Sequence, residues 1–310
     1  MLSIFKTIDG KTSKQNDITP GCWVHMCRPD DEEIDRIVSE LSIDGDYLMA
    51  ALDDEESPRV DSEEGDTLII IDIPVVEKNG KSFSYSTLPL GIIYTDENII
   101  TVCLRETSLI DMFAEGKVKG FSTNKKTRFI LQLLQRNAAR FLQYLKQIDK
   151  SSVTIEAELH KSMQNRELIQ MLALEKSLVY FSTSLTSNER VLKKLLRLDF
   201  IQRYPDDTEL LEDVLVENEQ AISMCSIYRD ILSGTMDAFA SIISNNLNII
   251  MKLLASITIV LSIPAIVAAF FGMNTGVPWE GSMTGFYIAI GIALGGSLIT
   301  ALILWVKKMF

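Results

Sequence analysis

Apolar residues recur along this chain with three different rhythms. Near the N-terminus they gather in β-branched runs bounded by turn formers. Leu68–Glu77 (LIIIDIPVVE) and Gly91–Leu104 (GIIYTDENIITVCL) therefore read as strands. Between them and the N-terminus, Asp30–Leu41 changes to helical spacing. Ile34, Ile37, Val38 and Leu41 repeat on one face, and acidic residues open the segment. From Thr123 proline and glycine almost vanish until Pro205. Phe129, Leu133, Arg136, Arg140 and Leu142–Leu145 continue one helix to about Lys150, and a second is expected from about Ser152 to Leu198. The Arg203–Asp206 segment (RYPD) is a turn, after which Asp207 or Thr208 is expected to cap a third helix with Glu209 and Glu212 in its first turns. No proline follows until Pro264, so this helix of ~60 residues would reach ~90 Å.

The third rhythm is an absence of charge. No charged residue separates Lys252 from Glu280, a run of 27, or Glu280 from Lys307, a run of 26. A bilayer span needs ~20 apolar residues, so each run can cross. The expected organisation is an α+β cytosolic domain over 1–122 and long cytosolic helices, stalk included, over 123–252. A first transmembrane helix over 253–273, an external loop over 274–283, a second transmembrane helix over 284–306 and a basic tail over 307–310 complete it. Lys252, Lys307 and Lys308 flank the spans and the connector holds no Lys or Arg, which places both termini in the cytoplasm of a cell-membrane protein. No secretory signal is expected at Met1–Gly10.

Composition sharpens this picture. The 310 residues include 30 Lys+Arg and 42 Asp+Glu, a net charge of −12, which speaks against a nucleic-acid partner. Cys22, His25 and Cys27 lie close together, but their alternation in CWVHMCRP reads as a strand with cysteines as small hydrophobes. The acidic run Asp53–Glu56, Asp61, Glu63, Glu64 and Asp66 reads as a solvated loop. With no P-loop, no GxSxG and two histidines, enzymatic activity and an organic cofactor are not expected.

The last long helix carries one line of unusual residues. At alternating steps of four and three it reads Asp237, Ser241, Ser244, Asn248, Met251, Ala255, Thr258, Ser262, Ala265 and Ala269. Every position is polar, small or a thioether, and the large aliphatics fall elsewhere. A 3.5-residue repeat is a helix-bundle seam. Two explanations stand: tight packing through small residues, or a water-filled pore lined by one such helix from each subunit of a ring. Packing explains Asn248 and Asp237 poorly, because polar heads are costly against lipid. Two spans cannot enclose an ion, so the pore requires a cyclic homo-oligomer in the lipid bilayer.

The first span ends in Gly272-Met273-Asn274. An uncharged Asn274 carbonyl could hold a hydrated divalent ion through its waters, because Mg²⁺ dehydrates reluctantly. Gly272-Met273-Asn274 after a span with Pro264, a short loop and a last span with a basic tail resembles the CorA family of magnesium/cobalt transporters. Glu175–Arg190 and Ile227–Lys252 are similar to that family's cytosolic and pore-entry helices, and Phe271 stands where many members have tyrosine. The resemblance implies a funnel-shaped homopentamer and a divalent-cation channel gated by intracellular Mg²⁺ bound between cytosolic domains. It implies a selectivity filter at Gly272, Met273 and Asn274, constrictions at Asn248 and Met251, and a cytoplasmic entry at Asp237. Asp213 and Asp237 are the candidate regulatory metal ligands. Glu280, the only acid of the outer loop, would concentrate cations there. The alternatives are a Zn²⁺ or Co²⁺ transporter of the same superfamily and, in another class, a non-conducting membrane-tethered regulatory protein.

Overall fold

A computed structural model describes residues 1–63, 65–79, 82–162, 165–273, 276–279 and 281–309. The chain forms two compact units, Met1–Gly234 and Thr235–Phe310. The first is built on a seven-stranded sheet: β1 (Leu2–Ile8), β2 (Lys11–Gln15), β3 (Trp23–Cys27), β4 (Arg59–Glu63), β5 (Asp66–Asn79), β6 (Ser82–Tyr94) and β7 (Ile99–Cys103). The spatial order is β2-β1-β3-β7-β6-β5-β4. All neighbours are antiparallel except β3 and β7, which pair in parallel from Trp23↔Ile99 to Cys27↔Cys103.

Helices cover both faces of the sheet. α1 (Asp31–Leu41) and α2 (Gly45–Ala50) lie on one, where Ile37, Tyr47 and Leu48 pack against Val24, Met26, Leu68, Ile70, Ile93 and Ile100. The other face takes α3 (Ser108–Ala114), α4 (Lys126–Ser162), α5 (Asn165–Leu195), the short α6 (Asp199–Gln202) and the start of α7 (Pro205–Phe271). Its core joins Ile69, Ile71 and Ile92 to Phe113, Phe129, Leu133, Val191, Leu211 and Val214. A strand covered on both sides needs apolar residues throughout, and β3 and β7 are buried at every position. The polar edge strand β2 ends the sheet where an exposed ladder invites aggregation.

α1 begins as its sequence implies. Asp30 accepts from Glu33 N at 2.8 Å and the Glu33 side chain returns to the Asp30 amide, a complete capping box. Other expectations are corrected. The helix does not break near Lys150, because Ser152 and Thr154 donate their hydroxyls to the carbonyls of Asp149 and Lys150 within α4. α7 starts at Pro205, a residue suited to a first helical position. Asp207 is therefore inside it, buried and paired with Arg128 at 3.0 Å. Asp61 and Glu63 belong to β4 and Asp66 to β5 rather than to a loop, and Glu64 lies outside the described residues. β1, β2, β4 and the first half of β6 add strands that the apolar pattern did not indicate.

His25 and its neighbours are structural. Trp23 Nε1 donates to Thr101 Oγ1 at 2.8 Å, and the Thr101 hydroxyl meets His25 Nδ1 at 2.9 Å. Burial lowers the imidazole pKa to about 4, so the ring is neutral at pH 7. All four cysteines are free and buried.

Candidate ion pathway

The second unit contains the last part of α7 and α8 (Met283–Val306). Both helices are long and apolar enough to cross a membrane, with mean hydropathy of 2.4 and 2.2 in their most apolar windows. Their contact has a definite seam. Ser256 is fully buried and donates to the Met309 carbonyl at 3.1 Å. Ser297 Oγ lies 3.4 Å from the Val260 carbonyl. A Cβ on Gly296 would stand 3.0 Å from Ile263 Cγ2, so glycine lets the helices approach there.

Pro264 explains one of these contacts. Lacking an N–H, it cannot bond the carbonyl four residues back, which belongs to Val260. The Ser297 hydroxyl shares its one hydrogen between that freed carbonyl, at 3.4 Å, and the Ala293 carbonyl, at 2.8 Å. A neighbouring hydroxyl is one of the means by which membrane helices tolerate proline. Nothing in the periodicity of the sequence marks Ser297 for this role.

The polar line lies elsewhere on α7. The residues Ser256, Val260 and Ile263 face α8, and at ~100° per residue their centre is roughly 145° around the helix from the stretch of the line over Met251–Ala269. Asp237, Ser241, Ser244, Asn248, Met251, Ala255, Thr258, Ala265 and Ala269 are all exposed, and Ser262 is half-buried. Thr258 donates to the Leu254 carbonyl at 2.8 Å and Ser262 to that of Thr258 at 2.7 Å. Their hydrogens are thus spent within the helix, leaving oxygen lone pairs outward. Such oxygens accept from the water shell of a cation and need not strip it.

α7 ends at Phe271, where Gly272 N still reaches the Ala268 carbonyl at 2.9 Å. Gly272 and Met273 are both exposed just beyond this end. Asn274 and Glu280 lie outside the described residues. On the far side of the loop, Ser282 caps α8 by accepting from Gly285 N at 3.1 Å and donates to the Trp279 carbonyl at 3.0 Å. A Cβ on Gly285 would meet that carbonyl oxygen at 2.6 Å, so only glycine admits the loop this close to the helix.

Asp213 belongs to the first unit and is exposed on α7. One turn onward the sequence reading missed Glu217. Burial, then the Asp213 charge, raises its pKa, and its Oε2 is buried with no partner among the described residues. Among the described residues no three His, Cys, Asp or Glu side chains of the single chain are placed to hold a metal. Asp213 and Asp237 fall in different units.

The family profile described as CorA-like Mg²⁺ transporter protein matches residues 20–308. The cobalt/magnesium transport protein CorA of Methanocaldococcus jannaschii is 26% identical over 280 residues, covering 87% of this chain and 85% of that protein. The complete structure of the CorA magnesium transporter from that organism superposes with a TM-score of 0.83 at 24% identity, over 98% of this chain and 97% of that one. The cytoplasmic domain of ZntB from Vibrio parahaemolyticus shares the fold over 79% of this chain and 97% of its own, with a TM-score of 0.60 at 13% identity.

Proposed function

The chain belongs to the CorA-like Mg²⁺ transporter family, and from that premise we propose that it is a cation channel passing hydrated Mg²⁺, with Co²⁺ as a secondary ion, down its electrochemical gradient. The observation that carries the proposal is the exposed polar line of α7 on the face turned away from α8. Small residues that served only to pack the two spans together would lie on the seam with Ser256 and Ile263. These lie opposite, where identical lines from other copies of the chain can surround a common axis. We read the assembly as a homopentamer in the cell membrane with both termini cytoplasmic, as the basic flanks of the spans favour.

The chemistry follows from the ligands on that line. Hydroxyl, amide and thioether groups carry no charge, so a divalent ion keeps its water shell and is not trapped. Met251 is the line's one soft ligand and it has no Cys or His, which disfavours zinc as the preferred ion. The membrane potential supplies ~4.6 kcal/mol per 100 mV for a divalent ion, enough to drive uptake without a nucleotide-hydrolysing site. In this reading Gly272, Met273 and Asn274 form the filter. Asn248 and Met251 narrow the path, and Asp237 and Glu280 enrich cations at its two ends.

Regulation is proposed at the cytosolic boundaries between copies. Among the described residues, one chain alone offers Asp213 without companions sufficient for a metal site. Carboxylates meeting across a subunit boundary repel unless a divalent ion joins them, so loss of Mg²⁺ would loosen the ring. Three experiments test these proposals. Asn274→Ala should abolish Mg²⁺ flux into liposomes while leaving assembly intact, and unchanged flux refutes the filter. Light scattering in detergent should return the mass of five chains; a monomer overturns the shared pathway. Millimolar Mg²⁺ should slow proteolysis of the cytosolic unit, and Asp213→Ala should remove that protection.

A further inference from the structure

The first unit contains a cleft of ≈ 700 Å³ between the end of β6, the start of α4 and the α6–α7 turn. That volume suits a drug- or nucleotide-sized ligand. Five cationic side chains line it, Lys119, Lys125, Lys126, Arg128 and Arg203, against the carboxylates of Asp206 and Asp207. In a chain of net charge −12 this excess is local and unusual. Two of the cations are committed: Arg128 pairs with Asp207 at 3.0 Å, and Lys126 donates to the carbonyls of Thr95 and Asp96. Lys119, Lys125 and Arg203 have no carboxylate partner among the described residues. Lys125, Lys126, Thr127 and Arg128, at the start of α4 where the helix amides lack intrahelical acceptors, belong to the same wall.

The cleft also has an aromatic side. Tyr94 is held between the Phe200 ring, stacked with centroids 4.3 Å apart, and the Lys126 ammonium, 4.4 Å from its centre. Tyr204 differs: the residue is 56% exposed and its ring stacks on no other ring among the described residues. Gln132 spends its Nε2 on the Lys119 carbonyl at 3.3 Å, and its Oε1 is buried with no donor among the described residues.

We infer that this cleft binds a nucleoside polyphosphate, its phosphates on Lys119, Lys125, Arg203 and the α4 amides and its base on Tyr204. A Mg²⁺ transporter of the kind proposed above would thereby sense an anion that itself chelates Mg²⁺. The test is calorimetric titration of the full-length protein in detergent with ATP and, in parallel, with inorganic tripolyphosphate. ATP should bind saturably and about tenfold more tightly than tripolyphosphate. Tyr204→Ala should erase that difference, and K125E/R203E should weaken both anions by at least about 30-fold. No saturable ATP binding overturns the inference, and so does equal binding of tripolyphosphate. Because the readout is binding, it stands or falls independently of transport. An unchanged melting temperature of K125E/R203E without nucleotide assigns its loss of binding to the site and not to unfolding.

Discussion

One helix, α7, contains two stretches that use the same kinds of residue in opposite ways. Before Gly234, its Leu211, Val214, Ala221, Cys225 and Leu232 are buried within the first unit. After Thr235, its Leu247, Ile250, Leu254, Leu261, Ile266 and Phe270 are exposed in the second. Helix formation therefore does not distinguish the two stretches. What differs is who removes the apolar surface from water. In the first unit the sheet and its covering helices do so, gaining ~25 cal/mol per Å². In the second unit, whose two helices are apolar enough to cross a membrane, that task falls to lipid. Within lipid the helices gain nothing by hiding aliphatic groups from each other, so α7 and α8 meet through Gly296, Ser256 and Ser297.

The comparison breaks most visibly at large apolar side chains. Phe129→Ala should destabilise the first unit by about 3–5 kcal/mol, read as a loss of urea resistance in full-length protein. Leu298→Ala, on an exposed face of α8, should cost under about 1 kcal/mol in the same assay. Equal costs would mean that the second unit is packed like the first.

Acid should separate the two units next. His25 has its pKa lowered to about 4 by burial, below its unfolded value near 6.5. The unfolded chain therefore binds the extra proton, and the stability tied to neutral His25 is complete above pH 6.5. It drains away as pH falls toward 4, by up to about 3 kcal/mol. The melting transition of the first unit should move down over this window, and His25→Gln should flatten the dependence. A slope unchanged in His25→Gln would assign it to other groups.

Smaller effects probe buried backbone. Asn188 accepts from Asp72 N at 2.8 Å and donates to Asp72 O at 2.8 Å, and Asn137 donates to that same oxygen at 2.9 Å. Asn188→Ala strands the β5 amide and should cost about 1–3 kcal/mol. Ser297→Ala leaves the Val260 carbonyl without its α8 contact. Its cost should be only ~0.6 kcal/mol, because polar contacts between membrane helices are weak; a thermal shift in detergent measures it. A larger loss for Ser297→Ala than for Asn188→Ala would reverse the contrast between the units.

The elements that were legible in the sequence are those in which a single physical need acts on consecutive residues. Asp30 and Glu33 announce α1 because a capping box is local. The charge-free runs announce α8 and the end of α7 because no ion can follow a helix into lipid. The polar line was legible as a period, while Asn274 and Glu280 lie outside the described residues. β2 was not legible: KTSKQ has no apolar residue, and it is a strand only because β1 offers a ladder. The continuation of α4 past Lys150 was hidden as well, since Ser152 and Thr154 discourage a helix until their hydroxyls turn back onto it. Glu217 resembled any exposed acid, and only packing buried its Oε2.

The amino-acid order by itself determined where water-seeking and water-avoiding stretches fall, and which residues share a line on α7. Those properties follow from side-chain chemistry and a helical period of 3.6. Only the tertiary structure decided which face of α7 would meet α8, that Ser297 would answer the carbonyl freed by Pro264, and that cations from three separate segments would share one cleft. Such matters depend on residues distant in sequence coming within a few ångströms, and no local preference encodes that meeting.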